Sequence, residues 1–320
     1  MYSFVTSILS LLALFYFLGK SADLAIYNLR IIAEKLGIGV FFLGLVMGFF
    51  TSFPEMAIGI NAIIDDVQNI SLGNLFGGIV VLFGLILGIN IYLQRKIKSE
   101  QNMWQFGAIL LFLFTPILLG INGSLGVIEG LIIIAAYFVL LFVIYYRQRH
   151  RIDIPRMSNR KNLAKHVFLF LFGLVLVLLI ANFTVHLTAE LLSKLQMSQF
   201  VIGIVIFGIG TNFPEIIIAV RAWRNHINEL SLSNLLGSGM ANMLLVGVFS
   251  VMRPFHVAID NSYYILVAGM ALLLALVFIF YRSEKALKRN EGLVLIFVYF
   301  LFVAMQIIFE AQVPGRDMGL

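Results

Sequence analysis

The sequence predicts an all-α integral membrane protein with about ten transmembrane helices, arranged as two inverted five-helix repeats. The chain is 61% hydrophobic and only 12% charged, with a mean hydropathy of +1.01, so too little polar surface remains to cover a water-soluble domain. Its apolar blocks approach the roughly 20 residues that cross a bilayer. A polar motif inside one block recurs in the second half of the chain, which predicts the repeat.

Ten apolar blocks are separated by short polar breaks. The blocks are apolar all round and lack the alternation of a barrel strand, so each is predicted to be a helix. The predicted spans lie near residues 3 to 22, 37 to 62, 72 to 93, 104 to 120, 125 to 146, 166 to 187, 198 to 221, 231 to 252, 260 to 281 and 291 to 309.

The basic residues predict how the chain is oriented. Of the 22 Lys and Arg residues, all but Lys194, Arg253 and Arg316 lie in connections that share one side of the membrane. Cytoplasmic connections carry such an excess, so both termini are expected outside the cytoplasm, in a plasma or inner membrane. The net charge of +6 therefore reports orientation in the lipid bilayer and does not predict a nucleic-acid partner.

The most basic connection divides the chain into halves. We predict a first five-helix repeat over residues 1–146, a basic cytoplasmic linker over 147–165 and a second five-helix repeat over 166–320.

The strongest feature of the sequence is the internal repeat. Thr51–Glu55 (TSFPE) recurs as Thr211–Glu215 (TNFPE), 160 residues later. At the same offset, Ser71–Gly77 (SLGNLFG) recurs as Ser231–Gly237 (SLSNLLG). Two separated matches at one offset indicate a duplication. Because each half has an odd number of spans, the second copy is inverted, and the symmetry places the two motifs face to face.

Each motif places a proline and a glutamate inside an apolar block. Proline frees a backbone carbonyl from its hydrogen bond, and this carbonyl and the neighbouring hydroxyl are potential cation ligands. A carboxylate at this depth costs roughly 3 kcal/mol unless a partner, a cation or a proton neutralises it. Carboxylates, hydroxyls, carbonyls and amides form an all-oxygen set, which suits a hard cation such as calcium or sodium.

A purely structural alternative remains open for the same residues. The hydroxyls and amides could cap broken helices while Glu55 and Glu215 are protonated and hydrogen-bonded. For Asn74 and Asn234, the alternative to a ligand role is close packing and capping at a helix junction.

The two motifs resemble the paired alpha repeats of the calcium/cation antiporter superfamily, and within it the sodium/calcium exchanger family. TSFPE and GTNFPE are similar to its G-T-S-x-P-E, and GNLFGG and SNLLGSGMANM to its G-N-x-x-G-S continuation. The resemblance covers nearly the whole chain and implies that sodium entry drives calcium out. By position it implies central metal ligands at Glu55 and Glu215, backbone carbonyls from Thr51 and Thr211, side-chain oxygens from Ser52, Asn212 and Ser238, and a further polar group at Asn242.

The first half departs from this pattern at three positions. Gly78 stands where the second repeat has Ser238, and Leu82 stands where it has Asn242. Phe50 replaces the glycine that Gly210 preserves. Two polar groups are thus missing from one flank of the site, which leaves the sodium stoichiometry and the sodium coupling open.

The predicted function is export of calcium in exchange for sodium by alternating access, with the transported ions as ligands and no cofactor. The spans near 3 to 28 and 166 to 192 are expected to slide across the site. Proton/calcium or other divalent-cation exchange is the alternative, because protons can neutralise the glutamates instead of sodium. A non-transporting membrane sensor or scaffold is a further one. No Walker loop, HExxH motif or nucleophile elbow is present, so an enzyme is not expected.

Two local interactions are also predicted. Lys20 and Asp23 are three residues apart and are spaced to pair on one helical face. Glu129 is expected to cap the start of the fifth span.

Overall fold

The computed structural model confirms the predicted all-helical fold, since the residues that it describes are almost entirely helical. It describes residues 10, 13–14, 16–17, 19–21, 23–25, 27–29, 31–32, 35, 40–64, 68–98, 103–149, 162–192, 204, 208–224, 228–256, 259–284 and 286–311. The described residues between 10 and 35 are helical and are called the N-terminal segment below.

The elements that follow the N-terminal segment are mostly long helices. In chain order they are α1 (Val40–Thr51), α2 (Phe53–Ile64), α3 (Gln68–Val80), a π-helix (Val81–Ile86), α4 (Leu87–Gln94), β1 (Lys96–Lys98), α5 (Met103–Leu119), β2 (Ser124–Leu125), α6 (Val127–Arg149), α7 (Leu163–Leu192), α8 (Gly208–Thr211), α9 (Phe213–Arg224), α10 (Asn228–Met252), β3 (Phe255–His256), α11 (Asn261–Glu284), β4 (Ala286–Lys288) and α12 (Arg289–Ala311).

Among the described residues, seven helical stretches are long and apolar enough to cross a membrane, and α5 is a shorter apolar helix. The predicted spans near 3 to 22 and 198 to 221 fall partly outside the described residues. The seven stretches are Gly44–Ile64, Gln68–Gln94, Val127–Arg147, Leu163–Ile180, Ser231–Met252, Asn261–Ser283 and Arg289–Phe309.

The helices of the two predicted repeats interleave. Helix α1 packs along α10, and α8 packs against α3, so each motif helix meets the S-L-x-N helix of the other half. The contact is backbone to backbone. A Cβ atom at Gly48 would lie 2.3 Å from the Ser238 nitrogen, and one at Gly237 would lie 2.4 Å from the Leu45 oxygen. Only glycine permits this approach.

Two short antiparallel ribbons join the halves at opposite ends of the bundle. Strand β1 pairs with β4, and β2 pairs with β3. Helix α5 runs from β1 to β2, and α11 runs from β3 to β4, so the ribbons lie at opposite ends of both helices. Because β3 follows β1 in the chain by nearly the repeat offset, an inversion of one half onto the other exchanges the two ribbons.

The N-terminal segment packs apart from the main core. Residues of this segment, α7 and α9 form a second, smaller apolar cluster that includes Ala25, Leu174 and Ile218. At the contact with α7, a Cβ atom at Gly173 would lie 2.9 Å from the Ala25 nitrogen. The cluster also includes Met47 of α1, so the segment shares it with α7, α9 and the first motif helix.

One predicted ion pair is wrong. Asp23 pairs with Arg221 of α9 at 3.3 Å, while the Lys20 ammonium lies 5.8 Å from the centroid of the Tyr16 ring. The guanidinium reaches Asp23 because Gly19 leaves room for it: a Cβ atom there would lie 2.5 Å from Arg221 Nη2. The predicted cap is confirmed, since Glu129 Oε2 accepts from the Gly126 N–H at 2.9 Å.

Candidate cation-binding site

Both motif helices break at the same place. Helix α1 ends at Thr51 and α2 begins at Phe53, and α8 ends at Thr211 and α9 begins at Phe213. The proline at the second position of each new helix has no N–H, so it cannot continue the backbone hydrogen bonds of the preceding helix. Each glutamate therefore lies in the first turn of a helix, where the helix dipole stabilises negative charge.

The break in the first repeat frees the carbonyl of Gly48. The Ser52 N–H bonds to Phe49, three residues back, instead of to Gly48, four residues back. Three hydroxyls lie within hydrogen-bonding distance of the freed Gly48 oxygen: Thr51 at 3.1 Å, Ser52 at 3.1 Å and Ser238 at 3.3 Å. The sequence analysis did not single out Gly48, although its recurrence as Gly208 at the repeat offset is a signal that could have found it.

The Glu215 side of the site is rich in hydroxyls. Ser238 on α10 donates to Glu215 Oε1 at 3.0 Å, and its oxygen lies 3.1 Å from the Thr51 hydroxyl. The Ser52 hydroxyl reaches the Ser238 carbonyl at 3.5 Å. These contacts bring residues of the first motif onto the glutamate of the second.

The two threonines face the glutamates in a crossed manner. The Thr51 side chain lies close to Glu215, and the Thr211 side chain lies close to Glu55. Glu55 and Glu215 are also close enough to interact as charges. The predicted face-to-face placement of the motifs therefore brings both carboxylates into one site.

The Glu55 side of the site is built from amides. Thr211 donates to Asn74 Oδ1 at 3.2 Å, and Asn212 donates through Nδ2 to the Gly208 carbonyl at 2.7 Å. The Asn212 bond repeats the Ser52 bond to Gly48 at the counterpart position. It also turns the Asn212 carboxamide oxygen away from Gly208.

A narrow gap at Gly78 brings two further amides together. A Cβ atom at Gly78 would lie 2.7 Å from Asn242 Nδ2 and 3.3 Å from Asn212 Nδ2. The neighbouring Leu82 is fully buried in the main apolar cluster. The carboxamides of Asn212 and Asn242 thus lie where a side chain at position 78 would project.

All ten residues predicted for the site are buried. Nine are gathered by the contacts above, and Asn234 lies one turn along α10 from Ser238, with its backbone oxygen 2.5 Å from a Cβ atom placed at Gly48. None is more than 2% exposed: Thr51, Ser52, Glu55, Asn74, Thr211, Asn212, Glu215, Asn234, Ser238 and Asn242.

Several buried oxygens of the site lack a hydrogen-bond donor among the described residues. They are acceptors, and a buried acceptor without a partner costs roughly 1–3 kcal/mol. A cation bound among them would satisfy several at once. The oxygens are Glu55 Oε2, Glu215 Oε2, Asn212 Oδ1, Asn234 Oδ1 and Asn242 Oδ1.

The geometry argues against a purely capping role. In a capping box, the cap hydroxyl bonds forward to the N–H of the residue three positions on, and the glutamate bonds back to the cap. Here the Ser52 hydroxyl donates backward to Gly48, and Glu215 accepts from Ser238 on another helix. No group of three or more His, Cys, Asp or Glu occurs in the described part of the chain, so any metal ligand set would be mostly neutral oxygen.

Comparison with known proteins identifies the family to which the sequence is similar. The sequence model of a family described as sodium/calcium exchanger protein matches residues 6–146 and 165–308. A sodium/calcium exchanger of Methanosarcina acetivorans is 26% identical, over 90% of this chain and 95% of the relative. A membrane protein of Methanocaldococcus jannaschii without an assigned function is 27% identical, over 93% of this chain and 95% of the relative.

Solved structures show the same fold. A sodium-calcium exchanger soaked with 100 mM Na+ and 10 mM Sr2+ superposes with a TM-score of 0.80 at 22% identity, covering 94% of this chain and 98% of that chain. The same exchanger soaked with 10 mM Na+ and no Ca2+ gives a TM-score of 0.79 at 23% identity, covering 94% and 97%. At this identity, the likeness shows the fold alone.

Proposed function

The chain belongs to the sodium/calcium exchanger family, whose members are membrane transporters and not enzymes, and on that premise we propose that it exports calcium in exchange for sodium. One observation carries the proposal. Glu55 and Glu215 are buried together at two opposed helix breaks, and each has a carboxylate oxygen without a hydrogen-bond partner among the described residues. Two carboxylates surrounded by neutral oxygens suit a hard divalent cation or two monovalent cations.

Exchange follows from competition for the carboxylates. Calcium and sodium that share Glu55 and Glu215 cannot occupy the site together. When neither is bound, two buried negative charges repel each other in a medium of low dielectric. The empty carrier is therefore expected to resist reorientation, so that export of one ion requires import of the other.

We assign the ligands from the residues that converge on the carboxylates. Glu55 and Glu215 would bind calcium directly. The hydroxyls of Ser52 and Ser238, the threonine groups and the asparagine oxygens would complete the set or bind sodium. The proposed ligands are Thr51, Ser52, Glu55, Thr211, Asn212, Glu215, Ser238 and Asn242, with Asn74 and Asn234 as supporting groups.

Alternating access would use the elements that pack apart from the core. The N-terminal segment and α7 share the smaller apolar cluster, and their backbones are in close contact at Gly173. In the proposed cycle these two helices slide together across the motif helices and open one side of the site at a time.

The proposed orientation keeps both termini outside the cytoplasm. It rests on the excess of Lys and Arg in the connections of one side. In this orientation the protein lies in a plasma or inner membrane, and the β1–β4 ribbon lies on the cytoplasmic side.

Proton/calcium exchange is the second candidate. Gly78 and Leu82 favour it, because they remove two polar groups from the flank of the site beside Glu55. Two protons neutralise the glutamates without the oxygen cage that sodium requires. The driving ion decides between the two candidates.

The test is calcium-45 uptake into proteoliposomes of the purified protein, under an outward sodium gradient, an outward proton gradient or neither. We expect uptake driven by the sodium gradient. Glu55→Gln or Glu215→Gln should reduce this uptake at least about 100-fold, because the loss of one buried charge from the divalent site costs roughly 3 kcal/mol of binding free energy. Glu129→Gln is the matched control. It makes the same change at a helix cap outside the site, and its amide oxygen can still accept from Gly126.

Each result has a separate meaning. Uptake driven by protons and indifferent to sodium would favour the second candidate. No uptake in any condition would contradict calcium export, provided that the protein is folded. Thermal unfolding of the protein and of Glu129→Gln at the same temperature is the check on folding.

A further inference from the structure

The internal repeat allows the two halves of the site to be compared position by position. Every site residue has a counterpart 160 positions away. The glutamates and the threonines are identical between the halves. The differences lie at Ser52 against Asn212, Ser238 against Gly78, and Asn242 against Leu82. If the two repeats were identical, the site would have a central position between the two carboxylates and two equivalent outer positions. These outer positions, one beside Glu215 and one beside Glu55, are called flanks below.

The flank beside Glu215 is built from oxygens. The freed Gly48 carbonyl lies 3.1 Å from the Ser52 hydroxyl and 3.3 Å from the Ser238 hydroxyl. The Ser238 hydroxyl in turn lies 3.0 Å from Glu215 Oε1. Hydroxyl hydrogens rotate away when a cation takes their place. This flank can therefore present a carboxylate, a carbonyl and two hydroxyl oxygens to a monovalent cation.

The flank beside Glu55 is built differently. The position of the serine hydroxyl is taken by Gly78, and two carboxamides fill the space: Asn242 Nδ2 and Asn212 Nδ2 lie 2.7 and 3.3 Å from a Cβ atom placed there. The Asn212 amide group donates to the Gly208 carbonyl at 2.7 Å. The Gly208 carbonyl is the counterpart of the carbonyl freed at Gly48. Because the Asn212 amide group directs its partly positive hydrogens at this oxygen, a cation beside it would be repelled.

The backbone differs between the flanks as well. Residues Val81–Ile86 form a π-helix, in which the Leu87 N–H bonds to the Leu82 oxygen, five residues back. The counterpart residues, 241–246, lie inside the α-helix α10. A π-helical stretch rotates the side chains that follow it. Leu82 lies inside this stretch, while its counterpart Asn242 lies in a regular α-helix, so the second flank differs in its backbone as well as in its side chains.

We propose that the site is one-sided: it holds one monovalent cation on the Ser52/Ser238/Glu215 flank and one between the two glutamates, and none on the amide-filled Glu55 flank. This inference rests on the proposed sodium/calcium exchange. Two sodium ions or one calcium ion neutralise the two carboxylates equally. The exchange therefore moves two sodium ions per calcium ion and transfers no net charge across the membrane.

The experiment measures the equilibrium calcium distribution in proteoliposomes of the full chain. Sodium gradients of several sizes are imposed, and the membrane potential is clamped with potassium and valinomycin. A lipophilic cation in the same vesicles verifies the potential. We expect the logarithm of the calcium ratio to rise with the logarithm of the sodium ratio with a slope of two, and to stay unchanged between clamped potentials.

Two other outcomes overturn the inference and differ from each other. A slope of three together with a shift in the calcium ratio on changing the potential, in a preparation that transports, would mean that the Glu55 flank carries a third cation. Sodium coupling itself would then stand. Absence of any sodium-driven calcium flux would overturn the sodium coupling and the inference together, and the missing flux identifies this case.

Discussion

Ser238 joins the two halves of the site through its own side chain. Its hydroxyl lies 3.0 Å from Glu215 Oε1 and 3.3 Å from the Gly48 carbonyl, and its single hydrogen can be donated to either. The same hydroxyl contacts the Thr51 hydroxyl, and the Ser238 backbone lies against Gly48. A single residue thus connects the second carboxylate to the helix break of the first repeat. Its counterpart Gly78 has no side chain to do so for Glu55, so we expect the proposed sodium binding to be most sensitive to mutation at Ser238.

Removal of this hydroxyl should weaken sodium binding. Hydrogen bonds to charged groups are worth roughly 1.5–3 kcal/mol, so Ser238→Ala is expected to raise the sodium concentration for half-maximal calcium uptake by about tenfold or more. The calcium half-saturation should change less, because calcium takes its charge from both glutamates. The measurement is a sodium and calcium titration of calcium-45 uptake.

Ser250→Ala is the matched control for this prediction. Ser250 is buried in the same helix, and its hydroxyl donates to the Val246 carbonyl at 2.7 Å. It makes no contact with the site in the described structure. If both variants shifted the sodium titration equally, Ser238 would have only a packing role.

The element that positions the site is the pair formed by α1 and α10. These helices touch through backbone atoms at Gly48 and Gly237, and this closeness brings Ser238 to the freed Gly48 carbonyl. The helix break supplies the carbonyl, and the glycines supply the approach. A site of this kind needs both features in one pair of helices.

Gly237→Ala should therefore loosen the pair. Its Cβ atom would lie 2.4 Å from the Leu45 oxygen and 2.6 Å from Leu45 Cα, so backbone must move, and overpacking of this kind costs roughly 1–3 kcal/mol. We expect a melting temperature several degrees lower by fluorescence in detergent, and weaker protection by added calcium.

Gly107→Ala is the control for this contact. The three atoms nearest to its Cβ atom would all belong to the Phe278 ring, the closest at 3.1 Å, and a side chain can give way where a backbone cannot. An unchanged melting temperature for Gly237→Ala would mean that α1 and α10 tolerate separation.

At the scale of the whole molecule, the two ribbons tie the halves together at opposite ends. Each ribbon pairs one strand from each half, and the β1–β4 ribbon is extended by a bond from the Arg289 N–H to the Arg95 carbonyl at 3.0 Å. The close contact of Gly88 in α4 with Gly292 in α12 lies near the same ribbon. Backbone pairing therefore links the two halves at both ends of the bundle.

The proposed orientation places the ribbons on opposite sides of the membrane. The chain has no cysteine, so single cysteines can be introduced without background. In intact cells, an impermeant maleimide should label His256→Cys in β3 and fail to label Lys288→Cys in β4, both of which are exposed. Labelling of both after lysis is the control, and the reverse pattern in intact cells would invert the orientation.

Hydropathy and the duplication were enough to predict the membrane helices, the paired helix breaks and the convergence of Glu55 and Glu215. These properties follow from the order of residues along the chain: an apolar block must enter the bilayer, a proline must interrupt a helix, and an odd number of spans must invert the second copy. The Lys20 and Asp23 pairing failed because the spacing on one helix says nothing about Arg221 on another.

Only the tertiary structure decided how the halves of the site differ. Local sequence shows that Gly78 lacks a side chain, but it does not show that Asn212 and Asn242 fill the space, that Val81–Ile86 winds as a π-helix, or that three hydroxyls meet at Gly48. The physical reason is distance along the chain. The contact between Thr51 and Ser238 joins residues 187 positions apart, and such a contact exists only when packed helices bring the two together.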